Sequence, residues 1–236
     1  MTIRRIALTV LGFAGGALTA LLLCVSAQNT LAETAAPAQP SFEQPAQVLE
    51  FPFDIPNTTL RAESITGYDG PFLEDGSDRE VVNVAALIVC NTGTETVKSV
   101  YITLQWGSGA YAFWGTYIPP GETTVLLEQN AQAFRAVEFN VCAGRQTDVS
   151  TSLIRSEIAV TEEGMGTVIL TNPSDRTITD IVVFYKIWLS PPGMCVGGIT
   201  YAVDIPILLP GESLRLFPDH YAVGYTKVVA ILGAVT

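Results

Sequence analysis

The strongest constraint on the fold is an internal repeat, because two matching halves must form two copies of one unit. Residues 88–106 match residues 169–187 at a shift of 81 residues. In both copies apolar residues alternate along the chain, as Val100, Ile102 and Leu104 do in the first. Alternation is the period of a strand and not of a helix. The sequence therefore predicts an all-β fold.

The second copy carries an insertion. Residues 111–122 correspond to 201–212 and residues 137–142 to 227–232, both at a shift of 90 residues. The larger shift means that the second copy has nine extra residues. The Pro- and Gly-rich stretch 190–198 accounts for them and predicts an exposed loop.

Turn sequences punctuate the repeats at short intervals, which is typical of a β-sandwich. They include Asn-Thr-Gly, Asn-Pro-Ser and two copies of Pro-Gly-Glu. The expected strands lie at 58–66, 81–90, 97–106, 111–118, 122–128, 135–142, 152–160, 165–171, 177–188, 200–208, 212–217 and 226–233. We expect one sandwich over residues 50–146 and a second over residues 147–236.

A strand ending in Asn-Thr-Gly or Asn-Pro-Ser, a long strand, and then a strand running into Pro-Gly-Glu resembles the immunoglobulin-like modules of bacterial envelope proteins, of the CARDB and FxLYD type. The resemblance covers both copies, although the Phe-x-Leu-Tyr-Asp run of the FxLYD group is absent. It implies two tandem immunoglobulin-like sandwiches in an extracytoplasmic, non-enzymatic protein that serves as a spacer or a binding unit.

The first 27 residues have the pattern of an export segment. Arg4 and Arg5 precede a stretch without charges at 6–25, which is long enough to span a bilayer as a hydrophobic helix. The segment is either a cleaved signal peptide or a membrane anchor, and in both cases the body lies outside the cytoplasm. Residues 28–49, rich in Ala, Pro, Gln and Thr, are predicted to be a flexible linker.

The charge balance excludes several classes of partner and chemistry. A net charge of −11 with no basic cluster argues against nucleic acid, which requires clustered Lys and Arg. His220 is the only histidine, and it has no triad pattern around it, so we expect a surface-loop residue and no enzymatic activity. No cofactor is expected. The expected partner is another protein or a second copy of the chain.

Cysteines provide a test of the topology. Cys90 and Cys142 each end a predicted strand of the first copy, at the same end of the sandwich and on facing sheets. We expect a disulfide between them; the alternative is two buried free thiols. Cys195 lies in the predicted loop and is expected to be a free thiol, with an intermolecular bridge as the alternative.

Two groups of aromatic residues are candidates for binding. Trp106, Tyr111 and Trp114 surround a Gly-Ser-Gly turn of the first copy, where they serve either core packing or the binding of a glycan or peptide. Phe184 and Trp188 make the second long strand apolar on both faces. Such a strand is usually covered on both faces, so we expect this surface to pack against the first sandwich or a partner.

An acidic turn between the first two strands offers a weak calcium candidate, because calcium prefers carboxylate ligands. Its residues are Asp75, Asp78 and Glu80. EF-hand spacing is absent, and a solvated turn is the alternative. Together the patterns predict an exported, structural or protein-interaction protein of the cell envelope, with extracellular glycan or peptide binding by the first sandwich as the second hypothesis.

Overall fold

The computed structural model describes residues 48–77, 79–149, 154, 156–164, 166–189 and 193–236, all within one compact unit. Their regular elements are thirteen β-strands, which confirms the predicted all-β class. The first repeat contains β1 (Phe53–Asp54), β2 (Leu60–Phe72), β3 (Arg79–Asn91), β4 (Val97–Trp106), β5 (Gly109–Ile118), β6 (Thr123–Leu127) and β7 (Val141–Asp148). The second contains β8 (Ala159–Glu163), β9 (Thr167–Thr171), β10 (Ile178–Leu189), β11 (Met194–Leu208), β12 (Ser213–Leu216) and β13 (Thr226–Val235).

The strands form three sheets, one of which is shared by the two repeats. The shared sheet has seven strands in the order β1-β2-β3-β6-β11-β10-β13, and the other sheets are β5-β4-β7 and β12-β9-β8. All neighbours are antiparallel except β6 and β11, which are parallel and join the repeats. The repeats therefore share the backbone hydrogen bonding of one sheet.

Both repeats have the same pairing scheme. In the first, β3 lies between β2 and β6 while β4 lies between β5 and β7; in the second, β9 lies between β8 and β12 while β10 lies between β11 and β13. The alternating apolar residues of each repeat meet between its two layers. The first core includes Leu87, Ile102 and Leu126, and the second includes Val183 and Ile231.

A buried asparagine closes the same turn in each repeat. The Nδ2 group of Asn91 donates to the carbonyls of Glu95 and Ile118, at 2.8 and 2.9 Å. The Nδ2 group of Asn172 donates to Arg176 and to Leu208, at 2.8 and 3.2 Å. The backbone of each asparagine also bonds to its Pro-Gly-Glu turn, through Glu122 and Gly121 or through Glu212 and Gly211. The repeated Asn and Pro-Gly-Glu motifs are thus two halves of one structural contact.

The two cores lie on opposite faces of the shared sheet. Side chains of residues paired across strands point to the same face, and Thr124, two residues from core residue Leu126, pairs with Cys195. Cys195 packs with Phe184 in a cluster separate from the second core. The face that carries the first core therefore continues into the outer face of the second repeat.

Two expectations are corrected by the strand bounds. The last strand of the first repeat is Val141–Asp148 and not 135–142; residues 134–140 are irregular, with Phe139 packed in the core. Leu49, the last residue of the predicted linker, donates its amide to the carbonyl of Phe139 at 2.7 Å. The insertion is not a simple exposed loop, since β11 begins at Met194.

The predicted export segment and most of the predicted linker lie outside the described residues. None of the described segments forms a helix long and apolar enough to cross a membrane.

Candidate functional site

The predicted aromatic group of the first repeat is divided between the core and the outer face of its sheet. Tyr111 is buried and donates its hydroxyl to the carbonyl of Ala133. Trp106 packs on Tyr111 and Phe139 with ring centroids 4.5 and 5.8 Å apart, so its ring is largely a core component. Only Trp114 of the three points away from the core.

Trp114 belongs to a row across the outer face of β5-β4-β7. Tyr101 is paired directly with Trp114 on one side and with Arg145 on the other. Tyr101 is 37% exposed, whereas Trp114 is half-buried. This row combines the predicted Trp114 with Tyr101, which was not among the predicted binding residues.

Phe184 and Trp188 are packed and not free. Phe184 stacks on Tyr117 of the first repeat, with ring centroids 3.9 Å apart and planes inclined by 18°. Trp188 is half-buried in the same cluster as Cys195. The outer face of β10 thus contacts the first repeat, which is one of the two arrangements expected for a strand apolar on both faces.

The predicted disulfide between Cys90 and Cys142 is absent, and both residues are free thiols. Cys142 is at the start of β7 opposite Leu104, whereas Cys90 is at the end of β3, beside the turn that begins β4. The positions of Cys142 and Cys90 along the sandwich are separated by the length of seven residues of β4, which corresponds to roughly 20 Å. Cys142 packs on the first core, while Cys90 alternates with core residue Val89 and points to the other face. A disulfide is therefore excluded, because the two cysteines lie far apart along the strands and only Cys142 faces the core.

Cys195 is buried, which corrects the prediction of a thiol on an exposed loop. It lies in β11, opposite Thr124 in the parallel pair and opposite Trp188 in the antiparallel pair. Burial raises the pKa of the Cys195 thiol, while the charges of Lys186 and Lys227 act in the opposite direction. The thiol therefore stays protonated and behaves as a small apolar group.

The acidic turn is organised by its own polar groups. Asp75 accepts hydrogen bonds from the backbone amide and the hydroxyl of Ser77, at 2.9 and 2.6 Å, and pairs with Arg79 at 3.2 Å. The Ser77 bonds and the Arg79 charge lower the pKa of Asp75. Glu80 is exposed, and Asp78 lies outside the described residues. No group of three or more His, Cys, Asp or Glu in the described part of the chain is arranged to hold a metal ion.

The most unusual polar arrangement lies where the repeats meet. The peptide group between Gly197 and Gly198 is hydrogen-bonded on both sides. Its N–H group faces a side chain of the first repeat, and its C=O group faces a side chain of the second. Its amide donates to Oε1 of Glu74 at 2.6 Å, and its carbonyl accepts from Nζ of Lys186 at 2.9 Å. The dipole of this peptide is thus aligned between a carboxylate and an ammonium group, which strengthens both hydrogen bonds.

Hydroxyl groups extend this arrangement. Thr116 donates to the Gly198 carbonyl at 2.7 Å, and that carbonyl also accepts from Lys186 at 3.2 Å. The hydroxyls of Thr116 and Thr200 are 2.7 Å apart. Glu74 receives a further bond from the amide of Leu127 at 3.3 Å. Every contact except those of Leu127 and Lys186 crosses from one repeat to the other.

Burial dominates the titration of both charged groups. It lowers the pKa of Lys186 to about 8, against the smaller opposing effects of Cys195 and Glu74. It raises the pKa of Glu74, against the Gly198 hydrogen bond and the Lys186 charge. The ion pairs of the described residues include neither group, so the two charges interact through the peptide between them.

Sequence reasoning missed both charged residues of this arrangement. Lys186 follows Tyr185 and precedes Ile187 in a strand apolar on both faces. A lysine is almost never fully buried unless its charge is paired, and its place in this strand was the available signal. Glu74 directly precedes the acidic turn in the sequence, and it is partly buried while Asp75 and Ser77 face solvent.

The predicted surface histidine and the buried lysine have different surroundings. His220 is exposed in the loop before β13, where its ring stacks on Tyr201 with centroids 5.2 Å apart. Lys186 is buried and its ammonium group is held by two carbonyls. The hydrogen bonds of Lys186 are therefore contacts within the fold. Comparison with protein-family models and with curated proteins finds no match for this chain.

Proposed function

We propose that the chain is an exported, non-enzymatic protein of the cell envelope in which two tandem immunoglobulin-like sandwiches act as a structural or protein-interaction unit. The fold class supports this architecture, since each repeat has two layers with the same strand order. The export pattern at residues 1–27 supports the location. The expected partner is another protein or a second copy of the chain.

One observation carries the proposal: several aromatic, charged and thiol side chains that are suited to binding or reaction make their contacts within the molecule. Phe184 stacks on Tyr117, Lys186 binds two backbone carbonyls, and Tyr111 and Cys195 are buried. Such internal use of polar and aromatic groups is what a rigid spacer requires.

Protease accessibility tests the location and the architecture together. In bacterial cells producing the full-length chain, we expect protease added to spheroplasts to reach the protein and to leave a resistant fragment that contains both repeats. Mass spectrometry of its N-terminus distinguishes an anchored chain from a cleaved one. An undigested protein in the cytosolic fraction would contradict export, and separate resistant fragments for each repeat would contradict one joined unit.

Glycan binding by the first repeat is the second candidate, favoured by the row of Trp114, Tyr101 and Arg145. Flat rings on an exposed sheet stack on sugar rings, and a guanidinium group donates to hydroxyls. Neighbouring rings lie one strand apart across the sheet. These residues replace Tyr111 and Trp106 as the ligand contacts.

A fluorescence titration separates the two candidates. If the row binds glycans, members of a panel of neutral oligosaccharides will change tryptophan emission, and a Trp114→Ala variant will lose the response. A Trp188→Phe variant is the control, because Trp188 lies in the other repeat. Absence of any response in the unmodified chain removes the glycan candidate and leaves the structural one standing.

A further inference from the structure

The second repeat joins the first through residues that the first repeat lacks. The predicted nine-residue insertion lengthens β11 to 15 residues, compared with 10 in β5. The added start of β11 makes the parallel pairing with β6, in which Cys195 and Val196 are opposite Thr124 and Val125. We call residues 194–200 the junction segment.

Parallel pairing alone is a weak attachment, because only two residue pairs take part. The remaining contacts are of several kinds. Lys227 of the second repeat forms an ion pair with Glu122 of the first. Tyr117 and Phe184 give an apolar contact, which is not directional. The bonds that Glu74 accepts from the Gly198 amide and that Thr116 donates to the Gly198 carbonyl are directional and tolerate little displacement.

Position 198 accepts no side chain. A Cβ atom there would be 1.7 Å from the backbone carbonyl oxygen of Trp114 and 3.0 Å from Oε2 of Glu74. The first distance is to backbone and cannot be relieved by a change of rotamer. The first repeat therefore approaches the junction segment as closely as a backbone permits.

We propose that the junction segment is a conformational device that fixes the two repeats in one arrangement, and that this arrangement opens when the Gly197–Gly198 peptide leaves its place between Glu74 and Lys186. The directional polar contacts determine which arrangement of the two repeats is stable, and the apolar contacts contribute the attraction between them. Buried polar groups have this selecting role in other settings, where a displaced position leaves them without partners.

A cysteine in the junction segment reports when the arrangement of the two repeats opens. The Cys195 thiol is fully buried in the junction segment, whereas Cys142 packs on the core of the first repeat and Cys90 points away from that core. Alkylation of Cys195 therefore requires separation of the repeats, and the alkylation rate of the partly exposed Cys142 reports changes in the first repeat. When closing is faster than alkylation, the labelling rate measures the population of the open form.

The test is iodoacetamide labelling of the full-length chain in detergent, with each cysteine followed by peptide mass spectrometry. In the unmodified chain we expect Cys195 to react at least about 100-fold more slowly than in urea, consistent with a protected site. In Gly198→Ala we expect Cys195 labelling to rise at least about tenfold while Cys142 labelling stays within about twofold, because the junction opens and the first core does not.

Thr116→Val is the second variant, for the case in which Gly198→Ala does not fold. It removes the hydroxyl that donates to Gly198 and contacts Thr200 while it keeps the side-chain shape. Loss of such a hydrogen bond should raise Cys195 labelling about fivefold. Gly164→Ala is the matched control, because a Cβ at Gly164 meets no atom within 4 Å, and it should leave Cys195 labelling unchanged.

Three outcomes overturn the proposal. The first is a Cys195 thiol in the unmodified chain that reacts as fast as in urea. The second is a folded Gly198→Ala or Thr116→Val variant with unchanged Cys195 labelling. The third is a parallel rise for Cys195 and Cys142, which would mean that the repeats open only by general unfolding. A selective rise at Cys195 in either variant supports it.

Discussion

The β4–β5 hairpin of the first repeat and the β10–β11 hairpin of the second are equivalent elements whose outer faces have different surroundings. The first turns at Gly107 and Ser108 and presents Tyr101, Thr103 and Gln105 on its outer face. The second is longer and places Phe184 in the equivalent position to Thr103. Around Tyr101 and Gln105 the outer face of the first hairpin is open to solvent, whereas around Phe184 the outer face of the second is an internal contact.

This difference shows how two repeats with the same pairing scheme form one compact unit. The buried asparagines, the Pro-Gly-Glu turns and the pairing scheme are the same in both, and of these only the first Pro-Gly-Glu turn contacts the other repeat in the described residues, through the ion pair of Glu122 with Lys227. Several features of the junction occur in the second copy only: an apolar outer face of β10, a buried lysine and an extension of β11. They meet Glu74, Thr116 and Tyr117 of the first repeat.

The largest expected effect comes from placing a charge at the equivalent position of each hairpin. Phe184→Asp puts a carboxylate where the side chain is only 8% exposed and removes the stack on Tyr117. We expect a loss of about 4 kcal/mol in the free energy of unfolding, measured by urea denaturation. Thr103→Asp is the matched control on the open face, and its expected loss is within about 0.5 kcal/mol. Similar losses in both variants would contradict the difference between the hairpins.

Substituting the two buried asparagines should have equal effects, because this contact is common to the repeats. Asn91→Ala and Asn172→Ala each leave two backbone carbonyls without their side-chain donor. We expect a loss of about 3 kcal/mol for each in urea denaturation. Exposed Asn130 supplies the control variant, Asn130→Ala, with a small effect. A large cost at Asn91 and none at Asn172 would show that the contact matters in one repeat only.

Alternation and turn chemistry predicted most of the strands, because both depend on local sequence. The strand 97–106 was predicted at its observed bounds, and its equivalent at 178–189 was within one residue at either end. The expected strand at 135–142 was wrong. Val137 and Phe139 alternate like strand residues, yet they belong to an irregular segment that packs on the core. The true strand, β7, reads Val-Cys-Ala-Gly-Arg-Gln-Thr-Asp and has little apolar pattern.

The contacts that depend on register could not be predicted in the same way. A shift of six residues in the last strand of the first repeat moved Cys142 from the end of a strand to its beginning, and the expected disulfide depended on that end. The junction depends on parallel pairing between strands from different repeats, for which periodicity carries no information. Only the insertion and the lysine in an apolar strand marked its location in the sequence.

The smallest expected effect is a pH dependence confined to the junction of the second repeat. Burial holds the pKa of Lys186 at about 8, below its ordinary value of 10.5. Between these two values the unfolded chain binds a proton that the folded chain has released, so stability rises with pH across this window and the benefit is lost as pH falls through about 8. Raising the pH from about 7.5 to about 9.5 should therefore stabilise the unmodified chain by about 2 kcal/mol relative to Lys186→Met.

The comparison with Lys186→Met isolates this effect from the other groups that titrate in alkali. Burial raises the pKa of Tyr117 and of Tyr185, and groups shifted in that direction lose stability as pH rises through the folded pKa. Those contributions are present in both proteins and cancel in the difference between their urea denaturation curves. Lys98→Met is the control, because Lys98 is exposed on β4 of the first repeat, and it should follow the unmodified chain at every pH. If Lys186→Met also follows it, the ammonium group is not held in the interior as the hydrogen bonds to Gly197 and Gly198 require.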